Sequence, residues 1–382
     1  MKNIDRRQGL DNFKSIVVKV GSKILTSSSE DYSDSHTKRV DRLVNDISVL
    51  KKNGIDVILV SSGAVAHGVV ALNLKKRPKT IPLKQACASI GQIKLMHLYE
   101  KLFSKNSLTI GQVLLTKSDL NIKQNYLNFR NTVITLLENS VIPIVNENDS
   151  VGVDEIRFGD NDTLGAQIAL LTDADLFINL SDINGLYDSN PKKNSSAKHI
   201  PLVEKVTKSV TSLADSSGSA QGVGGMVTKI KAAATLSKSG VTTIIGNGYD
   251  HSLLEVISNS EYGTLFLPTK KKMSSHKRWI HFTGKVSGKI TADSGAGKAI
   301  LENGKSLLPV GIIAIDGSFK EGATIDIVDT NSVAFARGII NFDSEELANI
   351  KGLKTAEIKK VLGDNSYKIA IHRNNMVLLD RE

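Results

Sequence analysis

Six apolar runs rich in Val, Ile and Leu punctuate the first two thirds of the chain: SIVVKVG (15–21), DVILVSSG (56–63), LTIGQVLLT (108–116), VIPIVNEND (141–149), DLFINLSD (175–182) and GVTTIIGNG (240–248). The segments between them place apolar residues at spacings of three and four, as in DRLVNDISVLKKNG, where Gly54 closes the pattern as a helix C-cap would. Near-continuous β-prone runs separated by helices predict a parallel sheet covered on both faces, hence an α/β domain over residues 1–268. Most polar, glycine-rich clusters begin where an apolar run ends: KVGS after the first, SSGA after the second, NEND after the fourth, SD after the fifth. Ligands of open α/β sheets bind outside the carboxyl ends of the strands, so these clusters are expected to share one edge and one cleft.

Beyond residue 285 the pattern changes to short β-prone stretches with frequent turns: 288–312, GATIDIVD (322–329), VAFARGII (333–340) and YKIAIHRNNMVLL (367–379). One short helix is expected around GKAILENG. The reading is a compact β-rich module over 285–366, with 367–382 as a terminal strand or tail packing on it. Between the two domains, TKKKMSSHKR opens a basic linker spanning 269–284.

The formal net charge of +10 raises nucleic acid or an anionic small molecule as a partner. From Lys285 to Glu382, thirteen Lys and Arg balance thirteen Asp and Glu, so the excess lies earlier, in the larger domain and the linker. That neutrality argues against strong non-specific RNA binding by the C-terminal module. A single cysteine, Cys87, allows no intrachain disulfide, and the eight histidines fall in no zinc-gripping spacing. The opening residues are too polar for a signal-peptide core, and no run of roughly eighteen apolar residues is present to span a bilayer. The expectation is a cytoplasmic protein without a membrane partner.

Three places carry chemistry. SAQGVGGMVTKI (219–230) joins three glycines and Lys229 to a helical pattern, which suits a phosphate cradle built from backbone N–H groups and a helix start. It has neither P-loop nor dinucleotide-fingerprint spacing, and glycine content alone would equally suit a surface loop. GAGKA (295–299) also fails the P-loop pattern, since Ala299 follows Lys298. Lys19 sits inside an apolar strand, where an ammonium is costly to bury unless an anion meets it; snorkelling to water at the strand edge is the alternative. Two lysines from distant parts of the chain, aimed at one anion, suit phosphoryl transfer. The third place is 146–162, NENDSVGVDEIRFGDND, with six carboxylates and three asparagines. Such a loop can bind an ammonium group, hold Mg²⁺ through phosphate, or fix lysines by ion pairing. Its amides, Asn146, Asn148 and Asn161, suit a zwitterion, whereas Asp154 and Glu155 are expected to be solvated. DNDTLG lacks the calcium ladder of an EF-hand.

VVKVGSKIL, LVSSGAVAHG, VIPIVNENDSV, FGDNDTLGA, LSDINGLY and GVGGMVTKIKAA follow the order and approximate spacing of the glutamate 5-kinases, within the amino acid kinase family. The trailing GAGKAILENGKSLLPVGI and FARGI resemble the PUA module that many of them carry. The resemblance implies a three-layer αβα sandwich with a mainly parallel sheet and a small PUA-like barrel. It also implies transfer of phosphate from ATP to L-glutamate, giving L-glutamyl 5-phosphate as the first step of proline synthesis. By the same likeness Lys19 and Lys229 stabilise the moving phosphoryl group and Asp162 orients them; Ser62, Asp149 and Asn161 bind glutamate. Lys19, Ser181, Asp182 and Val223, Gly224, Gly225, Met226, Val227, Thr228 and Lys229 match nucleotide-binding positions. Ser181 and Val223 replace a frequent threonine. The γ-carboxylate is already ionised, so no catalytic base is assigned, and Mg²⁺ is expected on the ATP phosphates with few or no protein ligands. Proline inhibition and a dimer or tetramer are implied by the family alone. The competing readings are another amino acid kinase, acting on acetylglutamate, aspartate or carbamate, and an RNA-binding PUA protein. The C-terminal module is expected to serve assembly or regulation.

Overall fold

The computed structural model describes residues 13–26, 35–76, 78–152, 161–191, 193–216, 225–269, 277, 280, 286–362 and 369–379. The chain divides into two compact units, one comprising Met1–Leu120 with Gln124–Lys272, the other Met273–Glu382 with Asn121–Lys123.

All six apolar runs form strands of the first unit: β1 (Ser15–Val20), β2 (Asp56–Val60), β3 (Ile110–Leu115), β4 (Ile142–Glu147), β5 (Leu176–Ser181) and β9 (Thr242–Asn247). Two further pairs of short strands, β6 (Leu186–Tyr187) with β7 (His199–Ile200), and β8 (Leu202–Val203) with β10 (Gly263–Phe266), lie between and after them. The main sheet runs β3-β4-β2-β1-β5-β9-β10-β8, and the six long strands pair in parallel. β10 is the exception, antiparallel to β9. Chain order reverses between β1 and β5, which makes their carboxyl ends the switch point of the sheet.

Alternation along β1 divides its side chains between the two faces. Ile16, Val18 and Val20 join a buried cluster with Val40, Val44 and Ile47 of the helix Ser35–Lys52, and with Tyr99 and Phe103 of the helix Ile81–Ser104. Gly54 follows the first of these helices with φ of 79°, as the sequence pattern implied. Lys19 therefore points to the opposite face, where Gly165 of the helix Asn161–Leu171 leaves it room; a Cβ at 165 would come within 3.3 Å of Lys19 Cβ.

The second unit holds a five-stranded sheet ordered β12-β11-β13-β14-β15, from β11 (Val286–Ala292), β12 (Ile312–Asp316), β13 (Thr324–Val328), β14 (Ala334–Ile339) and β15 (Met376–Leu378). β11 and β13 are parallel and the other pairs antiparallel. The expected single helix is Ser294–Asn303, capped by Asp293. Ser344–Ile350 and Thr355–Leu362 are also helical, which corrects the one-helix reading of this module. The first of these two starts with a capping box between Asp343 and Glu346, a signal present in the sequence and unused there. Of the basic linker, only Thr269, Lys277 and Ile280 lie among the described residues.

Candidate active site

Asp162 is the second residue of the helix Asn161–Leu171, where the helix dipole favours a carboxylate. It is 1 % exposed and stands at the carboxyl edge of the sheet. Lys19 Nζ donates to its Oδ1 at 2.6 Å, and Lys229 Nζ donates to its Oδ2 at 3.0 Å. Both lysines are 5 % exposed. Asn179, the register neighbour of Lys19 on β5, donates to Oδ1 at 2.9 Å. The Thr228 hydroxyl lies 2.6 Å from Oδ2 and 2.8 Å from the Gly225 carbonyl. A carboxylate offers about four lone-pair positions, and here four donors meet them.

The electrostatics follow from that count. Burial pushes the Asp162 carboxyl up, but the ammonium groups of Lys19 and Lys229, with hydrogen bonds from Lys19 and Thr228, hold it well below the ordinary carboxylate range. Burial lowers the Lys229 ammonium, and Lys19 lowers it further, while Asp162 and then Asp182 pull it back up. Two like charges thus share one anion, so the cluster has capacity left for a second anion.

A second, uncharged group lies beside it. Asn161 donates through Nδ2 to the Ser61 carbonyl at 2.9 Å and to the Ser62 hydroxyl at 2.8 Å. Its Nδ2 is also 3.5 Å from Asn146 Oδ1. Asp149 lines a cavity of about 250 Å³ with Gln92, Gln112, Glu147 and Asn148. That is smaller than the roughly 300–1,000 Å³ typical of drug-sized ligands, and suits a substrate of few atoms.

The residues expected to meet the nucleotide divide three ways. Ser181 ends β5 buried, with no partner for its hydroxyl among the described residues. Asp182 pairs with Lys23 at 2.6 Å. Gly225 caps the helix Met226–Lys238, but the Met226 side chain is buried with Leu186, Ile230 and Phe266, and Val227 packs on the same cluster. Any nucleotide contact of Met226 is therefore through the backbone. Val223, Gly224, Asp154 and Glu155 lie outside the described residues.

Reading the sequence did not single out Asn179, Lys23 or Gln92, and assigned Thr228 to the nucleotide although its hydroxyl also reaches Asp162. Asn179 left the same trace as Lys19, a polar side chain inside an apolar run. Thr228 and Asp162 are 66 residues apart, and nothing local in the sequence joins them.

Among the described residues no group of three or more His, Cys, Asp or Glu is arranged to hold a metal ion, and no helix is long and apolar enough to cross a membrane.

The model of the amino acid kinase family matches residues 14–247, which hold the site and every strand of this sheet except β10, and that of the PUA domain matches 288–362. The chain belongs to the amino acid kinase family and carries a PUA domain. Its curated relatives are more particular. A glutamate 5-kinase from Thermoanaerobacter sp. (strain X514) is 47% identical over 367 residues, 96% of this chain and 98% of that protein. Those from Syntrophus aciditrophicus (strain SB), 42% identical over 380 residues, and Moorella thermoacetica, 43% over 374, cover 99% and 98% of this chain and 98% of each relative.

Proposed function

We propose that the protein transfers the γ-phosphoryl group of ATP to the γ-carboxylate of L-glutamate, giving ADP and L-glutamyl 5-phosphate, the opening step toward proline. The observation that carries this reading is the buried pairing of one carboxylate with two ammonium groups at the switch point of the sheet. Near-full-length likeness to glutamate 5-kinases supports the choice of substrate.

In the proposed reaction a γ-carboxylate oxygen attacks the terminal phosphorus in line, and the bond to the β,γ-bridging oxygen breaks as charge gathers on ADP. Lys19 and Lys229 offset the charge spreading over the transferred group. Asp162 does not act as a base, because its oxygens are already engaged by four donors and its proton is held only at strongly acid pH. Its role is to fix the two ammonium groups so that little reorganisation is needed during transfer. In this reading the Ser181 hydroxyl and the Asp182 carboxylate meet the nucleotide, and the buried Ser181 hydroxyl, without a partner among the described residues, supports it. Ser62, Asn161 and Asp149 supply a hydroxyl, an amide and a carboxylate for the amino acid head. Mg²⁺, when bound with the ATP phosphates, would add positive charge there.

The test is a substrate panel with hydroxylamine trapping of the acyl phosphate. Hydroxamate is expected with L-glutamate and ATP. Turnover of aspartate, acetylglutamate or carbamate without glutamate turnover would overturn the assignment.

A further inference from the structure

We propose that Gln92 is a positioning residue for the amino acid substrate: its side-chain carbonyl fixes the orientation of a chain of amides that ends on the Ser62 hydroxyl. The substrate part of this proposal rests on the reading of the site given above.

Gln92 lies on the helix Ile81–Ser104, which approaches the helix Ala64–Ala71 unusually closely. A Cβ on Gly91 would stand 1.8 Å from the Ala64 carbonyl oxygen, and one on Gly68 would stand 1.8 Å from the Cys87 carbonyl oxygen. Only residues without a Cβ permit this crossing, and it brings Gln92 to the end of β4. There Asn146 Nδ2 donates to Gln92 Oε1 at 2.8 Å. The two ends of an amide are chemically different, one donating and one accepting. With Nδ2 committed to Gln92, Asn146 turns Oδ1 the other way, where it accepts from the Glu147 backbone N–H at 2.9 Å and faces Asn161 Nδ2 at 3.5 Å. Asn161 Nδ2 has two hydrogens for three oxygens: the Ser61 carbonyl at 2.9 Å and the Ser62 hydroxyl oxygen at 2.8 Å take them, and Asn146 Oδ1 at 3.5 Å shares one as the weak third acceptor. Ser62, accepting that bond, has its own hydrogen to donate elsewhere, the polarity needed to meet a carboxylate.

Asn146 is 2 % exposed, so losing the Gln92 carbonyl takes an acceptor from a buried amide. Without the Gln92 carbonyl, Asn146 Nδ2 loses its acceptor, and the Glu147 backbone N–H on Oδ1 is left to hold the amide alone. A turned amide would set Nδ2 against Asn161 Nδ2, donor against donor, and the disorder would pass to Ser62. Gln92 also lines the cavity that holds Asp149, so the relay and the substrate cavity share a wall.

The experiment compares wild type, Gln92→Met, which keeps side-chain volume, and Gln92→Glu, which keeps an acceptor facing Asn146. KM for glutamate and for ATP, and kcat, are measured separately by hydroxamate formation. The Met variant is expected to raise KM for glutamate about tenfold, the scale of one lost buried hydrogen bond, with KM for ATP essentially unchanged. The Glu variant is expected to stay within about threefold of wild type, because the accepting oxygen is retained. An unchanged glutamate KM in the Met variant, or equal impairment in both variants, would overturn the proposal. A thermal-unfolding cycle joining Gln92→Met with Asn146→Leu reads the contact without substrate: coupled shifts are expected, and additive ones refute it. Wild type inactive on glutamate would instead sink the proposed function, leaving the thermal cycle to judge the relay.

Discussion

The two units of the chain treat buried polarity in opposite ways. The first keeps Lys19, Asp162 and Lys229 at 5 % exposure or less, with Asn146 and Asn179 also buried. In the second, the only polar residue buried to that degree among the described residues is Thr324; its nearest counterpart to the charge cluster is the Arg337–Asp326 pair across β13 and β14, with side chains 21 % and 14 % exposed. Buried charges are destabilising unless closely matched, so they persist where they do something an apolar core cannot. The contrast sets the buried charge cluster in the first unit and leaves the second as a β-rich module whose interior is built for packing.

The largest expected effect is that of Asp162→Asn. The change turns one accepting oxygen into a donor among two ammonium groups, and is expected to cost about 3–5 kcal/mol at neutral pH, as breaking a buried ion pair does. Activity should fall with it. Because the folded carboxyl is held below its unfolded value, the wild-type advantage is fully present above the ordinary carboxylate range and lost as pH falls through the folded value. Denaturant midpoints of the two proteins should therefore converge at acid pH; a gap that stays constant with pH would contradict the pairing.

Removing the second unit tests the comparison more gently. A chain ending at Lys272 keeps the sheet and both lysines, and its turnover is expected to stay within about tenfold of full length, since domains carry their own cores. Loss of all turnover in a fragment that circular dichroism shows folded would place part of the chemistry in the second unit. Smallest is Arg337→Met, which breaks two hydrogen bonds to Asp326, at 2.6 and 3.2 Å. A stability loss of about 1 kcal/mol is expected, with kcat unchanged, because the pair is partly solvated. A fall in kcat would link the two units functionally.

The same contrast governs what could be read from sequence. β1 to β5 and β9 were legible because long Val/Ile/Leu runs end in glycine or polar clusters, and a buried parallel strand needs such a run. β8 and β10 escaped notice: Leu202–Val203 and Gly263–Phe266 are two and four residues long, too short to show a period. The helices Ser344–Ile350 and Thr355–Leu362 were missed although Asp343 and Glu346 announce the first. At the site, Lys19 stood out because an ammonium in an apolar run demands a partner. The partner set of Asp162 did not, because Lys19 is 143 residues away in sequence and Lys229 is 67. Only folding brings them to one carboxylate.

The most direct test compares wild type with Lys229→Ala at saturating L-glutamate and ATP, following hydroxamate formation. Loss of one charge-stabilising donor in a water-poor site should lower kcat by about a hundredfold or more while the protein remains folded. A drop smaller than about tenfold would mean that the transferred phosphate does not pass beside this ammonium group, and would contradict the account.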